Sequence, residues 1–138
     1  MIVLDTNVVS EIVKPRPDDA VSSWTSFLPL AETALSSVTV AELFYGVEIM
    51  PDGARCRDLA NRLSQFVDRL TILPFDAREA RLYATIGASR RAIGRPISAF
   101  DCQIAATARA VDATIATRDV GGFADCGVKC INPWKWTT

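Results

Sequence analysis

The chain has 138 residues, 49% of them hydrophobic and 22% charged, which is enough for one domain with a real core and too short for two comfortable ones. Fifteen basic against sixteen acidic residues leave a net charge of −1, which excludes a generally basic protein that coats nucleic acid. The chain contains no histidine, so hydrolases and nucleases built on a histidine base are excluded, and any hydrolytic chemistry must run through carboxylates and a metal.

Met1 to Asp5 is apolar without a basic flank and meets a charge at the fifth residue, so neither a signal peptide nor a membrane anchor is expected and the expected location is the cytoplasm. Ile2-Val3-Leu4 reads as a strand that stops at Asp5-Thr6. Val8, Val9, Ile12 and Val13 then recur at helical spacing until Pro15 and Pro17. Asp18 and Asp19 can cap a second helix running to about Leu28, and Thr33-Ala34-Leu35 reads as a short strand leading into Ser36-Ser37. A third helix is expected from Val38 to about Ile49. The amphipathic stretch from about Asp52 to Arg69 predicts a fourth, with Leu59, Leu63, Phe66 and Val67 on one side and Arg55, Arg62 and Arg69 on another.

Leu70-Thr71-Ile72-Leu73 reads as a strand stopped by Pro74. Asp76 opens a helix that continues to about Ile93 before Gly94-Arg95-Pro96 breaks it. Ser98 starts another helix to about Val111, and Ala113 to Ala116 and Val128 to Ile131 are the last two strands. Strands separated by helices need crossover connections, so the expected fold is α/β, a mostly parallel sheet with helices on both faces. Of the fifteen positive charges twelve are Arg; Arg90, Arg91 and Arg95 read either as a patch for a phosphate backbone or as a solvated helix end. Cys56, Cys102, Cys126 and Cys130 lack the pattern of a secreted disulfide framework and are expected reduced. Without histidine, the pair Cys126 and Cys130 is a poor zinc site.

Four acidic residues stand where apolar runs end or where a helix turns its apolar face inward. Asp5 directly follows the first strand, and Asp119 lies three residues past Ala116, so both fall at the carboxyl edge where such sheets bind ligands. Asp101 shares a helical face with Ile104, Ala105 and Ala108. Glu42 shares one with Val38, Tyr45 and Ile49, which predicts that it also points toward the sheet. Each has an ordinary reading as well. Asp5 can cap a helix, Thr39-x-x-Glu42 and Ser98-x-x-Asp101 match capping boxes, and Asp119 can be a turn residue before Gly121-Gly122. Their joint occurrence at one sheet edge points to a cation between them, and an all-oxygen site suits Mg²⁺ or Mn²⁺. Thr6 and Thr117 flank this site and can bond carboxylates or ligated water, although as surface hydroxyls they need no explanation, and Asn7 is open to the same two readings.

Leu4-Asp5-Thr6-Asn7, Thr39-Val40-Ala41-Glu42-Leu43, Asp101-Cys102-Gln103-Ile104-Ala105-Ala106 and Ala116-Thr117-Arg118-Asp119 occur in the order and spacing of a PIN domain. The chain resembles the VapC toxins of prokaryotic toxin–antitoxin pairs, and within them the FitB-like branch, which Ile72-Leu73-Pro74-Phe75-Asp76 and Asn132-Pro133-Trp134 also resemble. The resemblance covers essentially the whole chain, residues 1–138, as a single PIN domain. It implies a Mg²⁺-dependent ribonuclease with Asp5, Glu42, Asp101 and Asp119 as the acidic pocket. Asp5 and Asp101 would be the direct metal ligands, while Glu42 and Asp119 would complete the shell, position water or recruit a second ion. It implies further a homodimer and a cognate antitoxin that inserts a segment into a groove, contacts to DNA being made only through that antitoxin. Phe44, Tyr45 and Phe66 are candidates for such a groove, although core packing is the ordinary reading of each.

Two other metal-dependent classes fit poorly. A response-regulator phosphoacceptor domain needs a lysine after a late strand, and the only lysines are Lys14, Lys129 and Lys135. A haloacid-dehalogenase-like phosphatase needs a second Asp two residues after the first, where Asn7 stands. The rival from a different class is a catalytically weak PIN-fold binding module that works through an antitoxin-mediated DNA complex. The intact set of four acids argues against it.

Overall fold

Ile2-Val3-Leu4 is too short and too apolar to be stable except between neighbouring strands, and in the computed structural model, which describes residues 1–138, it is the central strand of the sheet. In chain order the elements are β1 (Ile2–Leu4), α1 (Thr6–Ile12), α2 (Asp19–Ser26), β2 (Thr33–Ser36), α3 (Ser37–Glu48), α4 (Ala54–Val67), β3 (Thr71–Leu73), α5 (Ala77–Ala92), α6 (Ala99–Ala110), β4 (Thr114–Ala116) and β5 (Lys129–Ile131). Short 3-10 turns add Leu30–Glu32, Val120–Phe123 and Pro133–Lys135. The five strands are all parallel in the order β3-β2-β1-β4-β5. The chain therefore builds outward from β1 to one side and then to the other, and the direction reverses between β1 and β4. Such a switch point opens a crevice at the carboxyl ends of the two strands.

Consecutive strand residues point to opposite faces. Val3 belongs to the core under α5 and α6, with Ile86, Ile104, Ala105, Ile115 and Phe123. Leu4 belongs to the core under α1 to α4, with Val8, Val9, Trp24, Leu35 and Leu63. The sheet is thus covered on both sides, as the strand–helix alternation predicts. Ala105, Ala106 and Ala108 are fully buried on α6, where small side chains let the helix lie close to the sheet. A helix-start signal fixes most entries: Asp18 Oδ1 accepts from Ala20 N at 2.9 Å, Ser36 Oγ from Val38 N at 3.1 Å, and Ser98 Oγ from Asp101 N at 3.2 Å. Gly94, at φ 74°, takes the left-handed conformation just past α5 and ends it where the Gly-Arg-Pro signal predicts.

Three expectations need correction. The cap of α3 is Ser36 and not Thr39, so the Thr39–Glu42 box does not form; Thr39 is fully buried and its hydroxyl has no partner. Because α3 begins at Ser37, its inward residues are Thr39 and Leu43, while Tyr45 and Ile49 are both 66% exposed. Glu42 and Tyr45 therefore face an open groove and not the sheet. Arg90 is neither a phosphate contact nor solvated. It is 5% exposed, and its guanidinium donates to the carbonyls of Arg95 at 2.6 Å, Gly122 at 2.9 Å and Ala124 at 3.0 Å, tying α5 to the segment after β4.

Candidate active site

The register of the two central strands builds the site. Leu4 pairs with Ala116, and Asp5 N donates to Ala116 O at 2.9 Å, so Asp5 and Thr117 leave the sheet side by side. Asp5 is the N-cap of α1, and its Oδ1 accepts from Thr6 N at 2.8 Å. Its Oδ2 accepts from Thr117 Oγ1 at 2.8 Å and from Asn7 Nδ2 at 3.1 Å. Asp119 caps the 3-10 turn that follows β4: its Oδ1 accepts from Gly122 N at 3.1 Å, and its own N–H donates to Thr117 Oγ1 at 3.0 Å. Asp101 enters from the first turn of α6 and Glu42 from α3.

These elements enclose a pocket of about 310 Å³ lined by Asp5, Thr6, Asn7, Glu42, Asp101, Ile104 and Asp119. All four acidic residues singled out in the sequence meet there, together with Thr6 and Asn7. Thr117 stands behind Asp5, fully buried, and holds it. Burial pushes the Asp5 carboxyl above its usual range. The hydrogen bonds from Thr117 and Thr6 partly offset this, and the charges of Asp101 and Asp119 add to it. Glu42 is pushed up for the same first reason and then by Asp5, with a smaller opposing effect from Thr6.

The donor chemistry fits a hard cation. The pocket offers carboxylate, hydroxyl and amide oxygens and no nitrogen base or thiol. Thr6 Oγ1 is buried near Glu42 yet makes no well-formed hydrogen bond, an orphan that a water or ion at this spot would satisfy. No three acidic side chains converge into a cage for a bare ion.

A second, larger cavity of about 720 Å³ adjoins the first and shares Thr6 and Glu42 with it. Leu43, Val47, Leu59 and Leu63 are among its apolar residues, and Lys14, Arg55 and Arg62 bring positive charge. Tyr45 lines this groove as the sequence suggests, whereas Phe44 and Phe66 pack against the core. Sequence reasoning gave Arg118 no role of its own. Its guanidinium lies 4.9 Å from the centre of the Trp134 ring, and its backbone N–H donates to Asn7 Oδ1 at 3.3 Å.

Residues 2–128 match the family described as PIN domain. The chain is 43% identical to the Toxin FitB of Neisseria gonorrhoeae over 137 residues, covering 97% of this chain and 99% of the relative. It is also 43% identical to the VapC ribonuclease Y4jK of Sinorhizobium fredii, covering 98% and 99%. The solved structure of FitAB bound to an IR36 DNA fragment superposes with a TM-score of 0.90 at 40% identity, covering 100% of this chain and 99% of that one. The chain therefore belongs to the PIN-domain family, and within it to the VapC-family toxins.

Proposed function

We propose that the chain, a single PIN domain over residues 1–138, is the toxin of a type II toxin–antitoxin pair and a metal-dependent endoribonuclease that hydrolyses RNA phosphodiester bonds. The observation that carries this reading is the meeting of Asp5, Glu42, Asp101 and Asp119 in one pocket at the switch point of the sheet. The names of the relatives, a toxin and a VapC ribonuclease, support it.

Mg²⁺, with Mn²⁺ as a substitute, is the ion the pocket would take. Asp5 and Asp101 would hold it directly, and Glu42 and Asp119 would act through water or a second ion. When bound, the ion neutralises the scissile phosphate, activates water and stabilises the departing oxygen. The chain's own residues prepare the place. Oδ2 of Asp5 is saturated by Asn7 and Thr117, while Oδ1 has one donor and one lone pair to spare, so the carboxylate is oriented and still a ligand. The Asp101 N–H is spent on Ser98 Oγ and its carboxylate faces the pocket. The orphan hydroxyl of Thr6 is in place to accept from a water beside Glu42.

The partner would be a cognate antitoxin whose inserted segment fills the 720 Å³ groove. The groove opens onto Glu42, so a basic side chain carried on that segment could reach the acidic pocket and block it. DNA would be contacted only through the antitoxin; the FitAB structure bound to DNA is consistent with such an assembly. A homodimer is the expected state, and Ile93 and Phe100, 52% and 51% exposed near the turn between α5 and α6, offer apolar surface for pairing. The protein would act in the cytoplasm, and no helix is long and apolar enough to cross a membrane. The alternative of a catalytically weak binding module would leave the retention of all four acids unexplained. Induced expression in a bacterial host tests the reading: growth arrest by the wild type that Asp101→Ala abolishes supports it, and arrest that survives the substitution overturns the catalytic assignment.

A further inference from the structure

A pocket of four carboxylates repels the polyanion that the proposed reaction must bring to it, so a cation beside the pocket has to hold the strand. Most cationic side chains near the site are already committed. Lys14 pairs with Glu11 at 3.0 Å, Arg62 donates to Val13 O at 2.7 Å, and Arg95 pairs with Asp125 at 3.2 Å. Arg90 is buried among carbonyls. Arg55 lines the large groove and not the acidic pocket.

Arg118 is different. It is exposed and lies between Thr117, which holds Asp5, and Asp119, which lines the pocket. Its backbone N–H donates to the pocket residue Asn7. Its guanidinium forms neither of the two salt bridges in the molecule. The carboxylate of Asp119 next to it forms no ion pair with it, and Asp119 Oδ1 caps the Gly122 N–H instead. The guanidinium rests 4.9 Å from the Trp134 ring centre, and the Trp134 backbone is itself anchored where Asn132 Oδ1 accepts its main-chain N–H at 3.0 Å. A guanidinium laid over an aromatic ring keeps its outer edge and its fork of donors free and loses little entropy on binding a phosphate.

We propose that Arg118, held over Trp134 and free of any carboxylate partner, is an RNA-binding residue that grips a backbone phosphate of a single-stranded segment and feeds the neighbouring phosphodiester to the acidic pocket. Single-stranded RNA is the chemistry that suits a lone exposed Arg laid over a half-buried Trp. An unpaired strand can bend its backbone to one cation. A duplex would need a broader basic face than a chain of net charge −1 shows here.

This inference rests on the ribonuclease reading, and the two can fail separately. Antitoxin-free wild type, Arg118→Ala, Arg118→Lys and the control Arg109→Ala, which removes the same charge at the far end of α6, are compared in two arms. In EDTA, where no cleavage occurs, binding of a short unstructured RNA oligonucleotide is followed by fluorescence anisotropy over a range of salt. With Mg²⁺ or Mn²⁺, kcat and KM are measured on an RNA that the wild type cleaves. Loss of one phosphate contact predicts about tenfold weaker binding for Arg118→Ala and a salt slope shallower by about 0.7 to 0.9. KM rises by a similar factor with kcat nearly unchanged, Arg118→Lys recovers part of the loss, and Arg109→Ala matches the wild type. Unchanged binding and KM in Arg118→Ala, or an equal loss in Arg109→Ala, overturns the inference while cleavage by the wild type leaves the ribonuclease reading standing. Wild type that cleaves no RNA yet binds it through Arg118 overturns the ribonuclease reading and keeps the contact. Wild type that does neither overturns both.

Discussion

The Thr117 hydroxyl donates to Asp5 Oδ2 at 2.8 Å, across 112 positions of sequence and across the junction of β1 with β4. Thr117 Oγ1 in turn accepts from the Asp119 N–H at 3.0 Å. One buried hydroxyl thus sets the positions of two of the four acids, and the hydrogen bond it gives favours the charged form of Asp5 against the burial that opposes it.

Thr117→Val removes that donor while keeping the shape of the side chain. Asp5 loses an interaction that lowers its pKa, so the acid limb of the pH–rate profile moves to higher pH and cleavage at neutral pH falls about tenfold or more. The lost hydrogen bond to Asp5, together with the Asp119 N–H left without its acceptor, costs about 1–2 kcal/mol in urea unfolding. A profile that does not move would mean that Thr117 does not tune Asp5.

The raised pKa values of Asp5 and Glu42 set how stability responds to pH. A carboxyl whose folded-state pKa is raised binds its proton more tightly when folded. Its stabilising contribution is fully present below its ordinary value, 3.8 for Asp5 and 4.5 for Glu42, and is lost as pH rises through the folded value. At neutral pH both charges therefore strain the metal-free fold. Asp5→Asn with Glu42→Gln should melt higher than the wild type at pH 7 without metal, and the gap should shrink as pH falls toward 4.5. Added Mg²⁺ should raise the wild-type Tm at pH 7 and leave the double variant nearly unmoved. A gap independent of pH contradicts the account.

Arg90→Met tests the buried arginine. The substitution strands the carbonyls of Gly122 and Ala124, and unfolding free energy should fall by about 2–4 kcal/mol in a urea titration. Because the Val120–Phe123 turn carries Asp119 at its cap, activity should fall even at temperatures where the variant stays folded. A variant as stable as the wild type would mean that water satisfies those carbonyls.

Gly46 lines the large groove, and a side chain placed there meets nothing within 4 Å. Gly46→Leu should therefore fill the groove without disturbing the fold, and replacing a helical glycine should add up to about 1 kcal/mol of stability. The variant should remain active and escape neutralisation by the cognate antitoxin, read as growth on co-expression. Full neutralisation would place the antitoxin elsewhere.

The strand–helix order was legible because each element carries its own signal: apolar runs stopped by Asp5 and Pro74, a Ser cap at Ser98, a Gly-Arg-Pro break after α5. The site was legible for Asp5 and Asp101, which sit at an element boundary and on a strongly apolar stripe. Glu42 was placed in the pocket for a wrong reason. The stripe it shares with Tyr45 and Ile49 looks like a core face in the sequence, but a helix beside a groove can expose large apolar residues, and periodicity does not say which side faces the sheet. Arg90 was misread because composition marks arginine as exposed, although its spacing from Glu79 and Ile86, both buried, places it on the inward face of α5. The pairing of Arg118 with Trp134 depends on β4 and the C-terminal turn lying at one edge of the sheet, which no local pattern encodes.

The most direct test is incubation of the antitoxin-free protein with a pool of end-labelled structured RNAs, with Mg²⁺ or Mn²⁺ against EDTA, beside Asp5→Ala. Discrete cleavage that needs the metal and disappears in the variant is the expected result. Cleavage that persists in EDTA or in Asp5→Ala, or no cleavage of any RNA by the wild type, would contradict the assignment of the four acids to a metal-dependent ribonuclease site.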